Sequence, residues 1–168
     1  MTIITTLAAP FDVFEGVVRP EWIDANGHMN LAYYVVLFDQ ATDAIFEPLG
    51  IGWTYRRATG DGTFAVESHN LYERELLEGD TVRVRSIVLA ADDKRLHLAH
   101  EMRRAADGAR AATQELMYLH VDLAARRVAP WPPALRNALV AAATAHRVLE
   151  RPDWIGRRIA MPAESRSV

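Results

Sequence analysis

From residue 31 to residue 49, apolar or weakly polar side chains return every three or four positions: Leu31, Tyr34, Val35, Phe38, Thr42, Ile45, Phe46 and Leu49. That spacing predicts one long helix. Tyr33, Val36, Leu37 and Ala41 widen the stripe, while Asp39, Gln40, Asp43 and Glu47 gather on a polar side. A helix apolar over most of its girth buries itself against a sheet or a second subunit. Asn30 is a good N-cap for it, and Gly50 a natural residue to close it in the left-handed region.

Elsewhere the period drops to two. Residues 11–19 read as a first strand that Pro20 ends or confines to an edge. Residues 24–30, rich in Asp, Asn and Gly, read as a loop. A second loop is expected over 51–62, with turn signals at Gly60 and Asp61-Gly62. Phe64 to Tyr72, Thr81 to Ala90, Arg95 to Arg104 and Ala111 to Asp122 then read as strands. The turns between them are expected at 76–80, at Asp92-Asp93 and at Asp107-Gly108. Pro130, Pro132 and Pro133 end the sheet, and an alanine-rich helix follows over 134–149.

This order predicts an α+β fold, one long helix against an antiparallel meander. A single helix leaves an edge of the sheet open, so pairing with a second copy is expected, as a homodimer or homotetramer. No repeat or linker divides the 168 residues, which read as one domain with its core at about 11–125 and a helix and tail at 134–168.

Composition narrows the function classes. No cysteine is present, which removes disulfides, a thiolate nucleophile and cysteine-held zinc. The net charge is −3 and no basic run exceeds two residues, so a nucleic-acid footprint is missing. No apolar stretch reaches the ~20 residues needed to span a bilayer. The start of the chain lacks the basic region of a secretory signal, and a cytoplasmic address is expected. Of the six histidines, His97 and His100 are three apart in a strand and face opposite sides, so no metal site is expected. No Gly-x-Ser-x-Gly elbow appears, which argues against an α/β-hydrolase.

The run Trp22-Ile23-Asp24-Ala25-Asn26-Gly27-His28-Met29-Asn30, followed by Tyr34 on a long helix, resembles the hotdog-fold thioesterases. The spacing from Asp24 through Gly27 to the helical Tyr34 is similar to 4-hydroxybenzoyl-CoA thioesterase. The pattern Asp24, Asn26, His28, Asn30 also resembles plant acyl-carrier-protein thioesterases. Three further blocks, residues 64–69, 93–97 and 119–122, resemble the betainyl-CoA thioesterases associated with carnitine dehydrogenase, although no dehydrogenase domain accompanies them here.

The resemblance implies an acyl-CoA hydrolase in which the CoA thioester is the substrate and no cofactor is needed. Asp24 is then the base or the nucleophile, and either role remains open. Backbone N–H groups at Gly27, His28 or just after would hold the oxyanion at the helix N-terminus. Asn26 and His28 would orient water or the Asp24 carboxylate. Glu67 and His69 share one strand face, with Phe64, Val66 and Ser68 on the other. With Trp22, Tyr33, Tyr34 or Trp53, Glu67 would form a cage for a cationic acyl group. Lys94 and Arg95 are the candidates for the CoA phosphates. The alternatives are an aromatic or fatty acyl thioesterase and a hotdog protein that binds acyl-CoA without cleaving it. A dehydratase of the same fold is disfavoured, because its Asp and His stand farther apart.

Overall fold

The computed structural model describes residues 9–161. The expectations for the start of the chain at 1–8 and the end of the tail at 162–168 lie outside the described residues. Strand β1 (Phe11–Val17) stops short of Pro20, which opens a single 3-10 turn, Pro20–Trp22. Helix α1 (Leu31–Leu49) has the expected bounds. The Asn30 side chain accepts the Ala32 N–H at 3.0 Å, and Gly50 closes the helix at φ +79°. Phe38, Ala41 and Ile45 are fully buried, so the apolar stripe is the packing face. Truncating Phe38 to alanine would cost about 3–5 kcal/mol.

The first departure from expectation follows. Residues 53–59 form a short helix, α2 (Trp53–Thr59), rather than a loop. The Glu47 carboxylate accepts the Thr54 N–H at 2.9 Å, and Gly60 at φ +79° ends the turn. That cap comes from α1, so nothing local to residues 51–62 announces it.

The strands are β2 (Asp61–Tyr72), β3 (Thr81–Ala91), β4 (Arg95–Arg104), β5 (Arg110–Asp122) and a two-residue β6 (Arg127–Val128). All their pairings are antiparallel, in the order β1-β3-β4-β5-β2, with β6 also on β5. The meander is thus corrected: β2 pairs with β5 and not with β3. Residues 73–80 are not a hairpin turn but a crossing from one edge towards the other. Glu73 and Arg74 donate to the Ala111 carbonyl, and Leu76 is fully buried. The Leu76 carbonyl accepts the Met29 N–H at 2.8 Å, and Gly79 donates to Val18. These long-range bonds fasten the crossing across the start of α1.

The sheet wraps α1 with two groups of buried side chains. One joins the first half of α1 to Val82, Val84 and Met102, with Trp22, Met29 and Leu76. The other joins its second half to Leu96, Leu98, Leu116 and Tyr118, and to helix α3 (Pro133–His146). The last helix lies on β3, where the His146 ring accepts the Val88 N–H at 2.9 Å. The arrangement is the α+β fold the pattern predicts. β2 is left as a free edge, with Phe64 and Val66 exposed.

Candidate active site

The loop before α1 is a small hairpin. Ile23 bridges Met29, and the Asp24 N–H donates to the His28 carbonyl at 3.0 Å. Inside, the Gly27 N–H donates to the Asp24 carbonyl at 3.0 Å, and Gly27 lies at φ +82°. This is a tight turn closed by a left-handed residue, a form that glycine takes without strain. The Asn26 N–H donates to Asp24 Oδ1 at 2.8 Å. That bond fixes one carboxylate oxygen and leaves Oδ2 free for chemistry.

The donors fall differently from expectation. The Gly27 N–H is occupied by the turn, Met29 donates to Leu76 and Asn30 to Trp22. Asn30 itself takes the Ala32 and Tyr33 N–H groups, by its side chain and its carbonyl. His28 and Leu31 are left with backbone N–H groups that have no acceptor among the described residues. Gly27 is therefore corrected from oxyanion donor to the residue that shapes the turn. The Asn26 side chain makes no bond to Asp24; its backbone does that work. The His28 ring faces the Met29 carbonyl at 3.4 Å instead of the carboxylate.

The proposed cage is not assembled within one chain. Trp22 is buried, with Tyr33 stacked on it at 5.2 Å and the Arg19 guanidinium also at 5.2 Å. Tyr34 is a core residue whose hydroxyl donates to the Arg74 carbonyl at 3.1 Å, and burial pushes that hydroxyl's pKa up. Trp53 sits elsewhere, its indole N–H donating to Asp43 at 3.4 Å.

Glu67 and His69 do share a face, opposite Met117 and Glu115 of β5. That face is turned away from α1, because Leu116 and Tyr118, alternating with them, pack against the helix. A register shift between Ala65 and Glu67 also moves Phe64 to the side of Glu67, so the simple alternation fails there. At the β3–β4 turn, Arg95 is committed to Asp92 at 2.6 Å, and that bond holds the Asp92 carboxyl down to about 2. Lys94 is exposed, and its backbone N–H donates to the same carboxylate at 3.0 Å.

A cleft of about 210 Å³ lies along the second half of α1, walled by Asp39, Thr42, Asp43, Phe46, Trp53 and Tyr118. The sequence pattern places Asp39 and Asp43 on the polar side of α1. The available signal was their i, i+4 spacing, since like charges so placed repel. Partial burial, and after it the Asp43 charge, raise Asp39 above the ordinary carboxylate range. Neither carboxylate has an ion-pair partner among the described residues. Behind the cleft, His100 is fully buried between Ser86 at 2.8 Å and Thr42 at 3.0 Å. Burial lowers its pKa to about 3, so the ring is neutral. Thr42 donates to the Phe38 carbonyl, so its oxygen accepts from His100 Nε2.

Residues 18–139 match the family described as the thioesterase-like superfamily. The chain belongs to that superfamily. It is 39% identical over 149 residues to the betainyl-CoA thioesterase of Pseudomonas aeruginosa, across 89% of this chain and 94% of that protein. It is also 39% identical over 130 residues to an L-carnitine dehydrogenase/betainyl-CoA thioesterase of Agrobacterium fabrum, across 77% of this chain and 26% of that longer protein. A hypothetical protein from Staphylococcus aureus, solved in complex with CoA, shares the fold at a TM-score of 0.83. Its sequence identity is 26%, over 94% of this chain and 100% of that one. This member of the superfamily is a thioester hydrolase of the hotdog fold. Among its described residues no helix is long and apolar enough to cross a membrane.

Proposed function

We propose that the protein hydrolyses betainyl-CoA or another short polar acyl-CoA in the cytoplasm, the whole chain acting as one domain. The observation that carries this reading is the loop 24–31. A carboxylate with one anchored and one free oxygen shares it with two unpaired backbone donors, at His28 and Leu31. The identity to the Pseudomonas aeruginosa enzyme supports the acyl group.

In the reaction the thioester carbonyl oxygen accepts from the two N–H groups, whose partial positive charge at the helix start matches the developing oxyanion. Asp24 either takes a proton from the attacking water or attacks the carbonyl carbon itself. The C–S bond breaks, the CoA sulfur leaves as thiolate and is protonated, and a carboxylate remains. By the attack route, water then hydrolyses the acyl-aspartate. Residue types suited to CoA phosphate are Lys94 and its arginine neighbours, and Lys94 is a freer cation than Arg95, which is paired with Asp92.

The site is completed by a second copy. Asp39 lies eight residues beyond Leu31, about 12 Å further along α1 at 1.5 Å per residue. A two-carbon acyl group held at His28 and Leu31 does not reach that far. Pairing of two copies along the free β2 edge, about a twofold axis, sets the two α1 helices antiparallel. The Asp24 loop of one copy then faces the second half of its partner's α1. Exposed Leu31, Val35, Phe64 and Val66 supply apolar surface for the contact.

The test is CoA release from betainyl-CoA, acetyl-CoA, a long fatty acyl-CoA and 4-hydroxybenzoyl-CoA. Preference for betainyl-CoA is expected. Preference for a fatty or aromatic acyl group would replace the substrate and keep the reaction, whereas binding of all four without release would mark an acyl-CoA binder.

A further inference from the structure

We infer that the cleft walled by Asp39, Thr42, Asp43, Phe46, Trp53 and Tyr118 is the acyl pocket, and that it selects an acyl group bearing a quaternary ammonium. The inference rests on the thioester-hydrolase reading and moves cation recognition from Glu67 to the second half of α1.

Three observations converge. The cleft holds about 210 Å³, more than the roughly 150 Å³ that accommodates benzene; a trimethylammonium group with its adjoining methylene has fewer heavy atoms than that ring. Its wall is aromatic: Phe46 and Tyr118 meet edge-on at 5.2 Å, and Trp53 is half exposed with its indole N–H on Asp43. Aromatic faces attract cations, most strongly when the cation is shed of water. The Trp53 ring already carries one, the Arg56 guanidinium, at 5.7 Å.

The charge balance points the same way. Asp39 and Asp43 stand one helical turn apart on the cleft's wall without an ion-pair partner among the described residues. Both raise the pKa of the Tyr118 hydroxyl, after burial, which shows their field reaching into the cleft. Arg56 also lines it, leaving two carboxylates against one guanidinium. A quaternary ammonium cannot donate a hydrogen bond, so it needs this combination of diffuse negative field and apolar wall, not a directed acceptor. A neutral acyl group of the same shape would gain the wall and none of the field.

The test compares betainyl-CoA with tert-butylacetyl-CoA, its neutral isostere. In the wild type the cationic substrate is expected to have the higher kcat/KM. In the Asp39→Asn/Asp43→Asn variant the cationic-to-neutral ratio is expected to fall at least tenfold, and a smaller change overturns the inference. Trp53→Leu, at a half-exposed position, should lower the same ratio at least threefold.

Coexpression of Asp24→Asn chains with Asp39→Asn/Asp43→Asn chains tests the placement. If the pocket serves the partner's Asp24, each mixed dimer holds one native site. Random pairing then restores about a quarter of wild-type turnover. No restoration overturns the placement.

Calorimetry with free glycine betaine separates this proposal from the hydrolase reading. If the wild type cleaves neither thioester but binds betaine, and the double variant does not, the pocket stands and the hydrolase reading falls. If betainyl-CoA is cleaved with an unchanged ratio in the double variant, the hydrolase stands and the pocket falls.

Discussion

The two ends of α1 carry different kinds of chemistry. Before its first residue, a seven-residue stretch folds on itself: Asp24 bonds Asn26, Gly27 and His28, and Asn30 caps the helix. Much of its backbone is satisfied locally, which leaves Asp24 Oδ2 and the N–H groups of His28 and Leu31 unpaired beside one another among the described residues. Along the second half, Asp39 and Asp43 stand over a cleft whose other walls come from α2, β2 and β5. The first end is preorganised by its own turn, as a reacting centre must be. The second sets two carboxylates against one guanidinium, as a recognition surface for a cation can.

That difference also explains what the sequence reveals. The Asp24 loop is legible because its turn, glycine and cap are neighbours in the chain. The helix bounds are legible for the same reason, from Asn30 to Gly50. The cleft is not, because Trp53 reaches it only through α2, whose cap is Glu47 of α1. The β2–β5 pairing is equally hidden: strand periodicity gives faces, not neighbours. Even the faces fail where one extra residue enters, as between Ala65 and Glu67. The Gly27 N–H shows a further limit, since a loop glycine next to a helix looks like an open donor until its turn partner is known.

The sharpest break of the comparison is Asp24→Asn. It keeps the turn, because the amide oxygen still accepts the Asn26 N–H, and removes the proposed base or nucleophile. Turnover is expected to fall at least a hundredfold, about 2.7 kcal/mol, with unchanged melting temperature. Near-normal CoA release would exclude Asp24 from the chemistry.

The cleft end is probed through its backing. His100 titrates at about 3 in the fold and at about 6.5 when unfolded. Below pH 6.5 the unfolded chain binds a proton that the folded one refuses, so stability falls with pH and is fully present above 6.5. Between pH 6.5 and 5 the loss is about 2 kcal/mol. The lowered carboxylates Asp92 and Asp107 titrate near 2, outside this window. In His100→Gln the slope over that window should flatten, although the variant is less stable throughout. A slope unchanged by the substitution would mean that His100 is not buried neutral.

In the proposed dimer, the β2 edge brings the two ends together. Val66 is more than half exposed in the single chain, so Val66→Lys should change monomer stability by less than about 0.5 kcal/mol. It places a cation on the edge proposed to pair. Sedimentation should show a shift towards monomer, and turnover should fall at least tenfold, about 1.4 kcal/mol. A monomer with full activity would return both ends of the site to a single chain.

The smallest effect is expected at Glu67. As a carboxylate on a strand that the family resemblance places near the cleft, it is a candidate cation binder. By register it stands opposite Met117, on the face turned from α1, while Tyr118 next along β5 faces the cleft. A carboxylate on the far side of a sheet acts on the cleft only through solvent and intervening chain, where its field is screened. Glu67→Gln should therefore alter kcat/KM for betainyl-CoA and for its neutral isostere alike, each by less than about twofold, or 0.4 kcal/mol. A selective loss on the cationic substrate would place Glu67 in the acyl pocket, through the partner copy if not its own, and would take the discrimination away from Asp39 and Asp43.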